Sequence, residues 1–387
     1  MNINKIGSAD LTKPDAGTAM VERIRSKENR KLNRFRQANK LLLAKHSKPP
    51  SNWRPSLFGP TPACARLMLV ETAVIILGFI GLIWGADKFV VGASGLARNL
   101  GVSQLMIGLT IVAFGTSAPE IFSSAISAWE GKPELAIGNA LGSNLFNIGV
   151  ALGVAATVRP LQPAKSLINK EIPALMLVTL ATGALLSDLY VGFFDAIVLI
   201  LITAYFGYRL LSNRMRREDG EMQQAEELPN WRAAAYLTLG LALLILSAEA
   251  LVQAASSIAL TLEVSTAVIG LTVIALGTSL PELAASITCV LKGHHDLAIG
   301  NIVGSNILNL LVVLPFPGLL SPGSVGKELF YRDFISVLIL TLLLAYFCYR
   351  SVKGNYRISR FSGAMFLLIY CGWFTVMILQ VQHTAGI

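Results

Sequence analysis

The chain has 387 residues, 53% of them hydrophobic and only 14% charged. Soluble chains of this length carry about a quarter charged residues, so a soluble enzyme or binding module is excluded. The net charge of +9 sits at one end: residues 1–66 hold 14 Lys/Arg against 4 Asp/Glu, and the rest 18 against 19.

Taken in chain order, residues 1–66 read as a basic, disordered extension that ends in a Pro-rich stretch near Pro62. Its composition suits contact with anionic lipid headgroups, and no nucleic-acid partner is expected. No apolar stretch of the secretory type follows the basic start. Met68 opens the first apolar run, which makes it an alternative translation start.

From there, apolar runs long enough to cross ~30 Å of hydrocarbon recur. Ten spans are expected, at 68–100, 104–131, 134–157, 170–188 and 191–211, then 232–262, 266–292, 296–315, 330–350 and 359–380. The fold class is an all-α integral membrane protein. Residues 212–231 form a polar linker between a first unit, 68–211, and a second, 232–387. Asp87 and Glu249 hold matching places in the first and sixth spans and read as interfacial. Trp231 and Trp373 read as markers of the membrane interface.

The two units are copies. A shift of 162 residues lays "GLTIVAFGTSAPEIFSSAIS" (108–127) on "GLTVIALGTSLPELAASITC" (270–289), and "LAIGNALGSNLFN" (135–147) on "LAIGNIVGSNILN" (297–309). Across 108–147 and 270–309, 20 of 40 positions are identical without a gap, which chance in apolar sequence does not produce. Five spans per unit is odd, so the second copy enters from the opposite side, giving two inverted five-helix repeats. With the first span running inward, Lys/Arg fall at 14 cytoplasmic positions against Lys132, Lys327 and Arg332 outside. Both termini are then outside, which conflicts with translocating the basic tail.

The repeated motifs place polar groups where the chain should be apolar. Pro119 and Pro281 cannot donate to the carbonyls of Gly115 and Gly277, so each helix is expected to break there and free carbonyls near Ala113–Thr116 and Ala275–Thr278. Such breaks survive at membrane depth only where they line protein or water. Thr116, Glu120 and Ser124 are spaced by four, as are Thr278, Glu282 and Ser286. Asn139, Ser143 and Asn147 form a second stripe, repeated as Asn301, Ser305 and Asn309. Glycines beside them suit close helix approach. Inversion brings Glu120 and Glu282 together near the midplane among hydroxyl, amide and carbonyl oxygens, with no Lys or Arg in either motif. Two such carboxylates need a proton or a cation. Oxygen-only ligands suit hard cations, Ca²⁺ or Na⁺, not zinc or copper. One divalent ion, several monovalent ions or protons fit in turn, which is the physical basis of exchange.

With the pairs "G-T-S-x-P-E" and "G-N-x-x-G-S-N", the chain resembles the cation/Ca²⁺ exchanger superfamily, specifically bacterial sodium/calcium exchangers, from about Met68 onward. That resemblance implies ten helices with discontinuous helices at a midplane site, alternating access, and an inner (plasma) membrane location. It implies Ca²⁺ and Na⁺ as transported ions, with Glu120 and Glu282 as central ligands and the carbonyls of Thr116 and Thr278 in the Ca²⁺ shell. Ser117, Ser143, Ser279 and Ser305, with the carbonyls of Ala113 and Ala275, complete flanking Na⁺ sites. Asn147 and Asn309 stand where some relatives carry Asp, which argues against K⁺ cotransport.

A Ca²⁺/H⁺ exchanger would use the same glutamates, and a passive cation channel is the reading from another class. No nucleophile–base pair or P-loop is present, so neither an enzyme nor an ATP-driven pump is expected. No cofactor is expected. Cys64, Cys289, Cys348 and Cys371 lack paired spacing. The histidines of "KGHHD" (292–296) read as a solvated loop.

Overall fold

A computed structural model describes residues 62–213, 228–262, 273, 275–354 and 357–385. The tail up to residue 61, most of the polar linker, and the start of the seventh expected span lie outside the described residues. The described residues are almost wholly helical. The first unit runs α1 (Pro62–Leu100), α2 (Gln104–Ile107), α3 (Ala113–Thr116), α4 (Ala118–Trp129), α5 (Pro133–Phe146), α6 (Gly153–Val158), α7 (Ile172–Leu186) and α8 (Phe193–Asn213). The second runs α9 (Asn230–Thr261), α10 (Ala275–Gly277), α11 (Leu280–Leu291), α12 (His295–Leu308), α13 (Pro315–Leu320), α14 (Ile335–Gly354) and α15 (Arg360–Ala385).

Among the described residues, seven helical runs are long and apolar enough to cross a membrane. An eighth is the bent pair Gln104–Thr116 and Ala118–Trp129. Two of the ten expected spans are outside that number. The one at 170–188 is a continuous helix over Leu167–Leu186, opening with a π turn, Leu167–Glu171, that carries Lys170 and Glu171. The one at 266–292 is represented by α10 and the 12-residue α11, the half that comes after a break at Ser279.

The repeat is visible in local structure. A π turn starts at Asn147 (Asn147–Leu152) and another at Asn309 (Asn309–Val313), 162 residues apart. Leu167–Glu171 and Leu329–Phe334 form a second such pair. A π turn adds a residue to the helical ladder and re-aims the next turn of helix, and such turns concentrate at functional sites. Short backbone pairings tie the units together. Tyr190–Val191 (β1) pairs antiparallel with Gly323–Ser324 (β2), and Leu161 forms an antiparallel bridge with Ile358. In both, the connection after a unit's third expected span (Leu161, Gly323) meets the connection flanking the fourth or fifth in the other unit.

The most enclosed runs are Pro133–Val158 and His295–Leu320. Gly300 and Gly304 bring α12 against the backbone of Leu105 and Leu109, as expected of the "GNIVG" stretch. The long helices α1 and α9 each keep an exposed face and lie along one another, as a lipid-facing pair does. Lipid offers no hydrophobic gain for helix association, so contact relies on close van der Waals approach at small residues. A Cβ at Gly92 would run into the backbone nitrogen of Leu237, and one at Gly240 into that of Phe89. Asp87, near the end of α1, pairs with Lys292 at 2.6 Å in the short connection after α11. Glu249 is exposed on α9 and accepts from Gln253 at 2.8 Å.

Close approach makes the α1–α9 seam intolerant of bulk. Gly240→Leu is expected to cost at least the ~1–3 kcal/mol of overpacking, read as a lower thermal midpoint of the purified protein in detergent. Gly372→Ala is the matched control, since Gly372 is exposed on α15 with no described atom near a new Cβ. It should hold or raise the midpoint by ~0.5–1 kcal/mol.

Candidate functional site

The two motifs break their helices as expected. The axes of Gln104–Thr116 and Ala118–Trp129 differ by 47°. The hinge residue Ser117 has φ −82° and ψ 3°, and Ser279 has φ −95° and ψ 9°. Each break creates a new helix N-terminus, with Pro119 and Pro281 in first-turn positions where no N–H is required. Glu120 and Glu282 then lie in the first turns of α4 and α11. Their carboxylates therefore meet the positive end of a helix, worth ~0.3–1 kcal/mol and up to ~2 when partly buried.

Tertiary packing joins the motifs by crossed contacts. Ser279 of the second unit donates to Glu120 Oε1 of the first at 2.9 Å. Ser117 of the first donates to Glu282 Oε1 of the second at 3.2 Å. Ser279 Oγ also lies 3.3 Å from Ser143 Oγ, and Ser143 donates to Glu120 Oε1 at 3.5 Å. Thr116 donates to Asn301 Oδ1 at 3.2 Å, again across the units. Asn139 fastens α5 to α4 through Glu120's carbonyl (3.2 Å) and Ser124 Oγ (2.9 Å).

Nearly all of these groups are buried, and the site carries unspent acceptors. Glu120 and Glu282 are each 1% exposed. Among the described residues their second carboxylate oxygens, Oε2, have no hydrogen-bond partner, nor do Asn147 Oδ1, Asn309 Oδ1 and Ser305 Oγ. Buried polar atoms are ordinarily satisfied. Among the described residues no basic side chain forms an ion pair with either glutamate. No described cluster of three or more His, Cys, Asp or Glu is present either. The donor set is thus oxygen from two carboxylates, hydroxyls, amides and main chain, which fits a hard cation and not a soft one.

Of the residues singled out in the sequence, Thr116, Ser117, Glu120, Ser143, Asn147, Ser279, Glu282, Ser305 and Asn309 are all buried. The crossed bonds bring Ser117, Glu120, Ser143, Ser279 and Glu282 into one cluster. Thr278 lies beside Ser279 and is partly exposed. Ala275 opens α10.

Two expectations need correction. The carbonyl of Ala113 is not free: it accepts the Ser117 N–H at 3.0 Å, because the last turn before the break stays closed. His294 is not in a solvated loop. It is buried, and its Nδ1 lies 3.1 Å from Gln104 Nε2 at the start of α2. Burial, then Lys292 and His295, hold its imidazole below the ordinary range. Trp373 donates through Nε1 at 2.7 Å to Asp333, a buried carboxylate that Arg332 also grips. Two further residues carry no expectation from the sequence: Asn144 and Asn306, both buried, stand beside the serines of the second motif. Their identity in both copies of "GSN" was the available signal.

Comparison with known proteins agrees with this geometry. The profile described as "Sodium/calcium exchanger protein" matches residues 70–212 and 232–379, one match per unit. A protein of Alkalimonas amylolytica described as a candidate antiporter, CaxA, is 42% identical over 79% of this chain and 98% of its own length. The inner membrane protein YrbG of Escherichia coli K12 is 37% identical over 73% of this chain and 90% of its own. The solved sodium-calcium exchanger NCX_Mj, in a form soaked with zero Na⁺ and Ca²⁺, superposes with a TM-score of 0.70 at 30% identity, covering 80% of this chain and 99% of that one. The chain belongs to the sodium/calcium exchanger family and is an integral, multi-pass membrane protein.

Proposed function

We propose that this chain is a secondary antiporter that exchanges Na⁺ for Ca²⁺ across the membrane by alternating access. The observation that carries the reading is the buried pair Glu120 and Glu282, each held through one oxygen by a serine of the other unit and each with its second oxygen unpaired. Two buried carboxylates that share a site repel, and one takes up a proton unless a cation is present. A hydrogen bond to a charged group returns only ~1.5–3 kcal/mol. The site therefore needs positive charge when both groups are ionised, and its oxygens accept Ca²⁺ or Na⁺.

In this reading Ca²⁺ is held by the carboxylates of Glu120 and Glu282 with the carbonyls of Thr116 and Thr278. Na⁺ ions use the same carboxylates together with Ser117, Ser143, Ser279, Ser305, the amides Asn147 and Asn309, and the carbonyl of Ala275. Shared ligands make the two loads mutually exclusive, so one ion leaves as the other binds. The ten-helix plan supplies access from either side: two inverted five-helix units meet at the site, and repeat rocking around a fixed midplane site opens it alternately. Relatives of this length, among them an Escherichia coli inner membrane protein, support placement in a bacterial inner membrane. The ions are substrates, and no resident cofactor takes part.

Reconstituted vesicles test the reading. Uptake of ⁴⁵Ca²⁺ should follow an imposed Na⁺ gradient at constant pH. Uptake driven by a pH gradient alone would instead make the chain a Ca²⁺/H⁺ exchanger, and flux persisting without any counter-ion would make it a channel. Glu120→Gln and Glu282→Gln should each reduce Ca²⁺ uptake at least a hundredfold with normal membrane insertion. Wild-type exchange in either variant would remove those residues from the site.

A further inference from the structure

Asparagine offers an ion a carboxamide with two unlike ends, and only the oxygen end can bind a cation. Asn309 is fully buried at the start of its π turn, and its Oδ1 has no partner. Its other end is committed: Nδ2 donates to Asn144 Oδ1 of the opposite unit at 3.0 Å. Asn144 is fixed in turn, because its own Nδ2 donates to the main-chain oxygen of Asn306 at 3.2 Å. A main-chain oxygen cannot change its role, so the direction of the whole chain of bonds is set from that end. Asn144 must face Asn309 with oxygen, and Asn309 must present nitrogen to Asn144 and oxygen away from it.

We infer that Asn144 is a positioning residue that holds the Asn309 carboxamide with its oxygen available to a transported cation. The inference rests on the proposed site, and it adds a residue that touches no ion. An ionised side chain at position 309 fits that contact poorly. An aspartate there would set a carboxylate oxygen against Asn144 Oδ1 with no proton between them. Turning Asn144 over would only move the conflict to the Asn306 carbonyl. The equivalent arm from Asn306 is not closed here, since Asn306 Oδ1 is unpaired and its Nδ2 donates to Ile302 O at 2.7 Å. The orienting contact therefore belongs to Asn144.

A double-mutant cycle on the purified full-length chain tests this, with Na⁺ and Ca²⁺ titrated separately and the thermal midpoint as readout of binding. Asn309→Leu and Asn144→Leu should each raise the apparent dissociation constant of at least one ion about tenfold, the scale of one well-oriented polar contact. In the Asn309→Leu background, Asn144→Leu should add nothing further, because the carboxamide it orients is gone. Asn144→Ser, which shortens the side chain away from Asn309 with less disturbance, serves if the leucine variant does not fold, and should behave alike. Additive effects, or unchanged ion affinity in the Asn144 variants, overturn the inference. A merely structural role would lower the ion-free midpoint and leave the ion constants where they were. Glu120→Gln measured alongside separates the two levels. If it leaves ion affinity untouched, the site itself is wrong and the inference falls with it. If it abolishes binding while Asn144 is silent, only the role of Asn144 fails.

Discussion

The structure depends on keeping two carboxylates buried together with no basic partner. Everything around Glu120 and Glu282 serves to make that arrangement tolerable without neutralising it. The helix breaks put each carboxylate at a fresh N-terminus, where the peptide dipoles favour negative charge. The crossed serines satisfy one oxygen of each. None of these groups carries a full positive charge, so the arrangement stays short of balance by about one or two charges. A basic residue in their place would satisfy the site permanently and leave no reason for an ion to enter.

The same constraint accounts for how polarity and packing are distributed. The helix breaks and amide stripes are confined to the enclosed runs α3–α6 and α10–α12, where neighbouring backbone and side chains can satisfy them. The exposed pair α1 and α9 carries few polar groups and meets through glycines. Polar irregularity lies inside and smooth apolar helix outside, the reverse of a soluble protein, because lipid cannot hydrogen-bond a freed carbonyl. The cross-unit pairings of β1 with β2 and of Leu161 with Ile358 fasten the two units at their connections.

Legibility from sequence varied with the range of the interaction. Expected helix boundaries mostly fell within a few residues of those observed, since apolar length is a local property. The repeat was plain, and with it the expectation that Glu120 and Glu282 meet. The burial of His294 was not legible, because "KGHHD" looks polar and the packing of Gln104 over it comes from 190 residues away. The closed carbonyl of Ala113 was missed for a smaller reason: proline removes one donor, and the Ser117 N–H four residues on still reaches back. The π turns at Asn147 and Asn309 leave no mark in apolar periodicity.

By itself, then, the sequence determined the membrane class, the doubling of the unit, the helix breaks at the Pro-Glu steps and the oxygen-only character of the polar groups. Each of these comes from residue type and short-range spacing. Only the tertiary structure decided which serine serves which glutamate, and that the pairing crosses between the units. It alone decided which way the Asn309 carboxamide faces. Those outcomes depend on how two distant helix breaks register against each other, and hydrogen-bond direction between groups 159 to 165 residues apart is a property of the packed chain.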